Sequence, residues 1–270
     1  MFADFFAYDF LTRALIAGVI IGTVAPILGT FLTVRRYALI ADTLSHASLA
    51  GVAIGIILGI NPILAAIVVS VIVAIGIEKL RLSGRFGGEA VLALFLSGSL
   101  AFAVVAMSVV GKFNGGVLAY LFGSITTVTV DDLWMIGGIG VVIVGVVIKM
   151  YPQFFLLSFD EDIARANGVN VTLSSMVLAI LTAGMVAVSM RVVGILLVGA
   201  LMVIPVLAAT QFNRGFKTTI GIAIVVSLLS VLLGLGLSYS FNLATGGTIV
   251  LCAVGLFIVS FIGTSVTRRA

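Results

Sequence analysis

An aspartate and a histidine four residues apart, Asp42 and His46, interrupt the otherwise apolar run ADTLSHASLAGVAIG, and His46 is the only histidine of the chain. On a helix, positions i and i+4 share one face about a turn apart, so a carboxylate oxygen and an imidazole nitrogen both reach a single cation. Ser45 flanks that face. Counted as continuous helix from Arg35, His46 lies about 16 Å along, half of a bilayer's ~30 Å hydrocarbon core. Ionisable groups at that depth cost at least about 2.5–3.5 kcal/mol each, and they line a pathway or site rather than face lipid. Three chemistries are open to the pair: metal ligation, a proton relay, or a buried Asp–His hydrogen bond that only braces helix packing.

The elements that must position the pair are membrane helices. Of 270 residues, 62% are hydrophobic and only 9% charged, with a mean hydropathy of +1.38, which leaves too little polar surface for a soluble globule. The composition implies an all-α polytopic integral membrane protein, in contact with lipid and built as one transmembrane domain over residues 1–270. Its 31 glycines suit close approach of helix backbones. The 14 basic residues form no cluster beyond Arg35-Arg36, Lys79-Arg81-Arg85 and Arg268-Arg269, so the basic balance reads as membrane topology and not as a nucleic-acid surface. Cys252 stands alone in an apolar run, which excludes an internal disulfide and a cysteine metal site. No G-x-x-x-x-G-K-[ST] motif occurs, so the sequence offers no P-loop for ATP hydrolysis by this chain.

Apolar runs predict nine candidate spans near 11–34, 38–58, 62–80, 89–110, 132–150, 172–190, 192–211, 218–237 and 245–265; either all nine cross, or eight cross and one is re-entrant or interfacial. The first is too long for a signal h-region and lacks a small-residue cleavage site, so it is read as a retained span. Asn61-Pro62 and the Gly/Asn stretch at 111–116 mark turns. Alternating the spans leaves Arg13, Lys112 and Arg191 on one side and the other eleven basic residues, Lys149, Arg165, Arg214, Lys217, Arg268 and Arg269 among them, on the opposite side. That bias assigns the richer side, with the C-terminus and the 151–171 loop, to the cytoplasm.

Two interruptions carry further information. Within the loop, Ser158-x-x-Glu161 reads as a capping box that opens a short helix through Asp160, Glu161 and Ala164, with Gly168 as its stop. Such a helix is either a docking element for a partner or an ordinary connector. In RVVGILLVGALMVIPVLAATQF, Gly194, Gly199 and Pro205 predict a kinked or broken helix, either beside a pathway or as a packing kink, because backbone groups freed in the membrane are tolerated only against protein or a cavity.

Taken together, Arg35-Arg36 with ADTLSHASLAGVAIG, then Asn61-Pro62, AYLFGSITTVTVDDL at 119–133, VGILLVGALMVIP at 193–205 and TIVLCAVGLFIVS at 248–260 resemble the permease subunit of bacterial zinc and manganese ABC importers. The resemblance implies a homodimer of permeases in the bacterial cell membrane, two cytoplasmic ATPase subunits and an extracytoplasmic metal-binding protein. It makes the chain a translocation pore and not an enzyme, 158–168 the coupling helix that meets the ATPase, and Asp42 and His46 the metal-handling pair, with no tightly bound cofactor of the permease itself. Glu89 stands where the family usually has an aspartate, at the start of the fourth span; it is read as a further metal ligand or as the i+4 partner of Arg85. Asn242 and Ala244 replace an aspartate and a proline in the outer loop, removing a charge and the rigidity of a turn.

Imidazole with carboxylate suits zinc, manganese and ferrous iron, and the Irving–Williams order places zinc ahead of manganese at a common site. The expected cargo is therefore zinc, then manganese or iron. A secondary divalent-cation/proton transporter with an Asp42/His46 relay is the alternative.

Overall fold

In lipid an apolar run must satisfy its own backbone, which leaves helices as the elements for these sequences. The computed structural model describes residues 8–110, 121–123, 128–190 and 192–267, and every regular element among them is helical. In chain order these are α1 (Asp9–Val34), α2 (Leu39–Leu58), α3 (Pro62–Leu82), α4 (Gly88–Val110), α5 (Val130–Phe159), α6 (Glu161–Ala166), α7 (Val171–Ser189), α8 (Ile195–Thr210), α9 (Phe216–Phe241) and α10 (Thr245–Thr267). All but α6 and α8 are long and apolar enough to cross a membrane, eight helices among the described residues. The ninth apolar run is α8, whose 16 residues give about 24 Å of helix, short of the ~30 Å core. The Gly/Asn stretch at 111–116, Lys112, Arg191, Arg268 and Arg269 lie outside the described residues.

Three sequence expectations need correction. First, α5 does not end near 150. It runs 30 residues through Pro152 to Phe159, about 45 Å, so the connecting loop shrinks to 160–170. Thr129 and Asp132 open this helix with a reciprocal capping box. At its other end, Phe31, Tyr151, Phe154, Phe155 and Phe216 form one aromatic group that joins α1, α5 and α9, with centroid separations of 5.2–6.2 Å. In lipid such packing, rather than exclusion of water, holds helices together, and here it offsets the hydrogen bond that Pro152 removes.

Second, α6 is not capped by Ser158. That residue is still inside α5, where its hydroxyl donates to the Phe154 carbonyl at 2.7 Å. Asp160 is the cap: its Oδ1 accepts from the Asp162 and Ile163 amides at 2.7 and 3.0 Å. Gly168 takes φ +77° just past the helix end, where the Val169 amide donates to the Ala164 carbonyl, a left-handed reversal that favours glycine.

Third, the interruption near 194–205 is located at one end only. Between α7 and α8 the described residues Met190 and Val192 to Gly194 are not helical, and α8 then continues through Gly199 and Pro205. Met190, Val192 and Val193 are buried, yet the Val192 and Val193 amides both donate to the Ser189 carbonyl and the Gly194 amide to that of Met190. These three amides are thus satisfied within the break itself, as a membrane interior requires. Gly194, at φ +91°, sits back to back with Gly123, at φ +73°: a Cβ on Gly194 would lie 2.5 Å from the Gly123 amide nitrogen, and one on Gly123 would lie 2.5 Å from the Val192 carbonyl oxygen. Two glycines from distant motifs therefore allow the entrance to α8.

Candidate functional site

Helix α2 carries the pair and is wedged among its neighbours. A Cβ on Gly51 would stand 2.5 Å from the Ala66 Cα, so α2 and α3 meet backbone to backbone, and the Ser48 and Ser70 hydroxyls bond across the same contact at 2.7 Å. From Ile40 to Ala50 every residue is buried except Asp42 and His46, which are half-buried. Together they form the one accessible strip on this part of the helix. Ser45 does not contribute to it; its hydroxyl turns back to the Ala41 carbonyl at 2.8 Å.

The depth estimated from sequence also changes. Arg35 to Ala38 is a non-helical connection, with Arg36 at φ +58°, so Asp42 lies on the first turn of α2 and His46 about 10 Å from its start. Among the described residues Asp42 and His46 share no hydrogen bond, and His46 Nδ1 is buried without a partner. An Asp–His bond that braces packing needs the contact that is missing here, whereas a metal ligand needs the free nitrogen that is present.

Asp42 is placed by α8. A Cβ on Gly199 would fall 1.9 Å from Asp42 Oδ1, so the carboxylate rests directly on the α8 backbone where only glycine leaves room. Gly199 therefore acts as a seat for Asp42 and not as a helix break. Pro205 is buried two turns further along the same helix.

Glu89 is not brought to the pair. No group of three His, Cys, Asp or Glu side chains arranged to hold a metal occurs among the described residues. Glu89 is exposed on the first turn of α4 and forms no ion pair with Arg85 among the described residues. It lines a cleft of about 380 Å³ together with Arg35, Arg36, Tyr37, Arg81 and Glu161.

That cleft opens beside an ionic cluster. Glu161 Oε1 accepts from Arg35 Nη2 and, at 2.8 Å, from Arg81 Nη1; Arg81 Nη2 also reaches Glu78 Oε2 at 3.0 Å. The Ser175 hydroxyl of α7 receives both guanidiniums, at 2.7 and 3.2 Å. The Tyr37 ring lies beneath the same two cations, 5.5 and 5.4 Å from centroid to guanidinium carbon. Burial and the Glu78 charge push the Tyr37 phenol well up, so it is neutral throughout the physiological range. Two cations and two anions leave the cluster neutral. Truncating one member of a fully buried group costs ~3–5 kcal/mol, and less here because the Glu161 side chain is 29% exposed. In sequence Arg81 reads as a topology signal, and Arg35 as that and as part of a family motif; the available clue to the cluster is Glu78, a carboxylate inside the apolar run 62–80.

Burial pushes the Glu161 carboxyl up, but hydrogen bonds from Arg35 and the charges of Arg35 and Arg81 outweigh it and hold the group below its ordinary 4.5. A carboxyl lowered by folding stabilises fully above its unfolded value and loses that contribution as pH falls through the folded value. Thermal melting in detergent is accordingly expected to separate wild type from Glu161→Gln at neutral pH and to bring the two curves together in acid. Curves that stay parallel down the pH scale would show that the ionised carboxylate adds nothing.

Comparison with known proteins places these features in context. The family model described as the ABC 3 transport family matches residues 7–264. The chain is 34% identical to ZnuB of Haemophilus influenzae, a high-affinity zinc uptake system membrane protein, over 94% of this chain and 97% of that one. It is 33% identical to ScaB of Streptococcus gordonii, a manganese import system permease protein, over 94% and 91% of the two chains. Among solved structures, PsaBC from Streptococcus pneumoniae in complex with Fab superposes with a TM-score of 0.86 at 31% identity, covering 97% of this chain and 95% of that one.

Proposed function

This chain belongs to the ABC 3 transport family, and we propose that it is the membrane permease of an ATP-driven importer for a divalent transition metal, zinc first, then manganese or iron. The observation that carries the reading is the Asp42/His46 strip: two ligand groups accessible on an otherwise buried stretch of α2, one seated on Gly199 and the other with its Nδ1 unpartnered. Relatives named for zinc and for manganese support the substrate class and leave both metals in it.

One chain offers two ligands, and zinc takes four as a tetrahedron. Two copies that present their strips to a common axis would supply four, which supports a homodimer as the working unit. The metal is cargo, so it enters from an extracytoplasmic binding protein and leaves on the side of the arginine-rich loops and of the C-terminus, read as cytoplasmic. The permease itself hydrolyses nothing; two cytoplasmic ATPase subunits supply the energy. They dock on the α5–α6 corner, where Phe159 and Ile163 are 61% and 54% exposed on the side read as cytoplasmic. Ala164 is not part of that docking face, because it is fully buried with Leu157 and Val171. Asp160 and Gly168 shape the corner by capping and reversing the chain. Glu89, at the cleft beneath α2, is kept as an exit-side contact for the metal.

The test is energetic. Permease reconstituted with its ATPase and binding protein should import zinc or manganese when ATP is supplied inside the vesicles and the proton gradient is collapsed. Import driven by a proton gradient without ATP would replace this reading with the secondary transporter.

A further inference from the structure

The ionic cluster joins α6 to the helix that carries the metal pair. Glu161, on α6, is held by one oxygen to Arg35 and Arg81, and the Arg81 guanidinium is fixed in turn to Glu78 on α3. Both cations lie against the Tyr37 ring. The Tyr37 carbonyl receives the Ile40 amide at 3.2 Å, and the Tyr37 amide donates to the Leu32 carbonyl at 2.8 Å. Tyr37 is thus tied by its backbone to the end of α1 and to the first turn of α2, five residues before Asp42. On its other side Asp42 is pressed against Gly199 of α8, so the first turn of α2 has no slack in either direction.

The side chains of the cluster are mostly enclosed, with Arg35 7%, Arg81 16% and Glu78 0% exposed, so its charges are weakly screened. Glu161 is the member on the shortest element: α6 has six residues, is too short to hold itself, and depends on what it packs against. A displacement of α6 must therefore either drag both guanidiniums or leave them without their shared carboxylate. Either outcome changes what packs on Tyr37, at the entrance to the turn that bears Asp42.

We propose that Glu161, Arg35, Arg81 and Tyr37 are positioning residues for transport, an ionic clamp by which displacement of α6 resets Asp42 against Gly199. The proposal rests on the reading of α6 as the ATPase-docked element of a metal importer.

The experiment uses the full complex of permease, ATPase and binding protein in proteoliposomes, with zinc or manganese as the probe, and measures assembly and metal imported per ATP hydrolysed. Glu161→Gln is expected to assemble, because its carboxylate points inward, and to lower the metal-to-ATP ratio at least ~10-fold, the lower end of effects seen when a ligand's support is removed. The exchange Glu161→Arg with Arg35→Glu keeps the cluster neutral and keeps a carboxylate between two guanidiniums, so it is expected to restore most of the ratio. A wild-type ratio in an assembled Glu161→Gln complex would overturn the clamp, as would a charge exchange that assembles and remains as uncoupled as the single changes. If Glu161→Gln does not assemble, Glu161→Asp, with the charge on a shorter arm, reads the same quantity: a lowered ratio supports the clamp and a wild-type ratio overturns it. A wild-type complex that assembles without metal-stimulated ATP hydrolysis would overturn the importer reading itself, and the clamp with it.

Discussion

Replacing Gly199 with alanine is expected to lower metal import ~100-fold while leaving the fold intact, the scale of loss that accompanies a 1 Å misplacement of a functional group. The added Cβ would lie 1.9 Å from Asp42 Oδ1, so the carboxylate must retreat by more than about 1 Å to reach even the shortest tolerable contact. What has to move is the end of a flexible side chain; the nearest α2 backbone atom, the Asp42 nitrogen, stays at 3.4 Å. Alanine is also the better helix former, by roughly 0.5–1 kcal/mol over glycine in a helix interior. Stability and transport are therefore expected to part company. Melting temperature in detergent should stay equal or rise, while import by reconstituted vesicles falls. Loss of both together would mean that Gly199 is needed for packing alone, and retention of both would remove Asp42 from the pathway.

The second large effect is expected from the pair itself. Asp42→Asn keeps the shape of the side chain and removes its charge; His46→Ala removes the unpartnered nitrogen. Because the two strips of a dimer would together provide four ligands, each substitution deletes two of the four. The expected loss of import exceeds the ~10–100-fold typical when only an outer-shell partner of a metal ligand is lost. Ser45→Ala is the matched control on the same turn of helix: its hydroxyl is spent on the Ala41 carbonyl, so import should be unchanged. Equal defects from all three changes would point to disturbed packing of α2 rather than to metal handling.

The sequence displayed those parts of the molecule that depend on composition or on local spacing. Hydropathy located eight long helices because lipid allows an apolar segment so few conformations. Asp42 and His46 stood out because ionisable groups are rare in apolar runs. Gly168 was legible as a helix stop because its left-handed conformation is a property of one residue.

Features made by distant contacts were not legible. The pattern Ser158-x-x-Glu161 satisfies the local rule for a capping box, yet Ser158 is kept in α5 and Glu161 is drawn to Arg35 and Arg81, 126 and 80 residues away. The apolar run ended α5 near 150, but aromatic packing against Phe31 and Phe216 carries the helix on through Pro152 to Phe159. Gly199 read as an interruption of its helix because the sequence does not reveal Asp42 resting upon it. Asn242, read as the loss of a family aspartate, takes φ +52° at the end of α9, a conformation that asparagine tolerates well.

If transported metal is held by His46 and Asp42, X-ray absorption at the zinc edge on zinc-loaded permease reads both ligands directly. Wild type is predicted to show histidine nitrogen scattering at about 2.0–2.1 Å from the metal, with carboxylate oxygen at about 2.0–2.2 Å. Because His46 is the only imidazole in the chain, the histidine signal should vanish in His46→Ala. A wild-type spectrum without histidine scattering, or zinc bound with undiminished affinity by His46→Ala, would contradict the assignment.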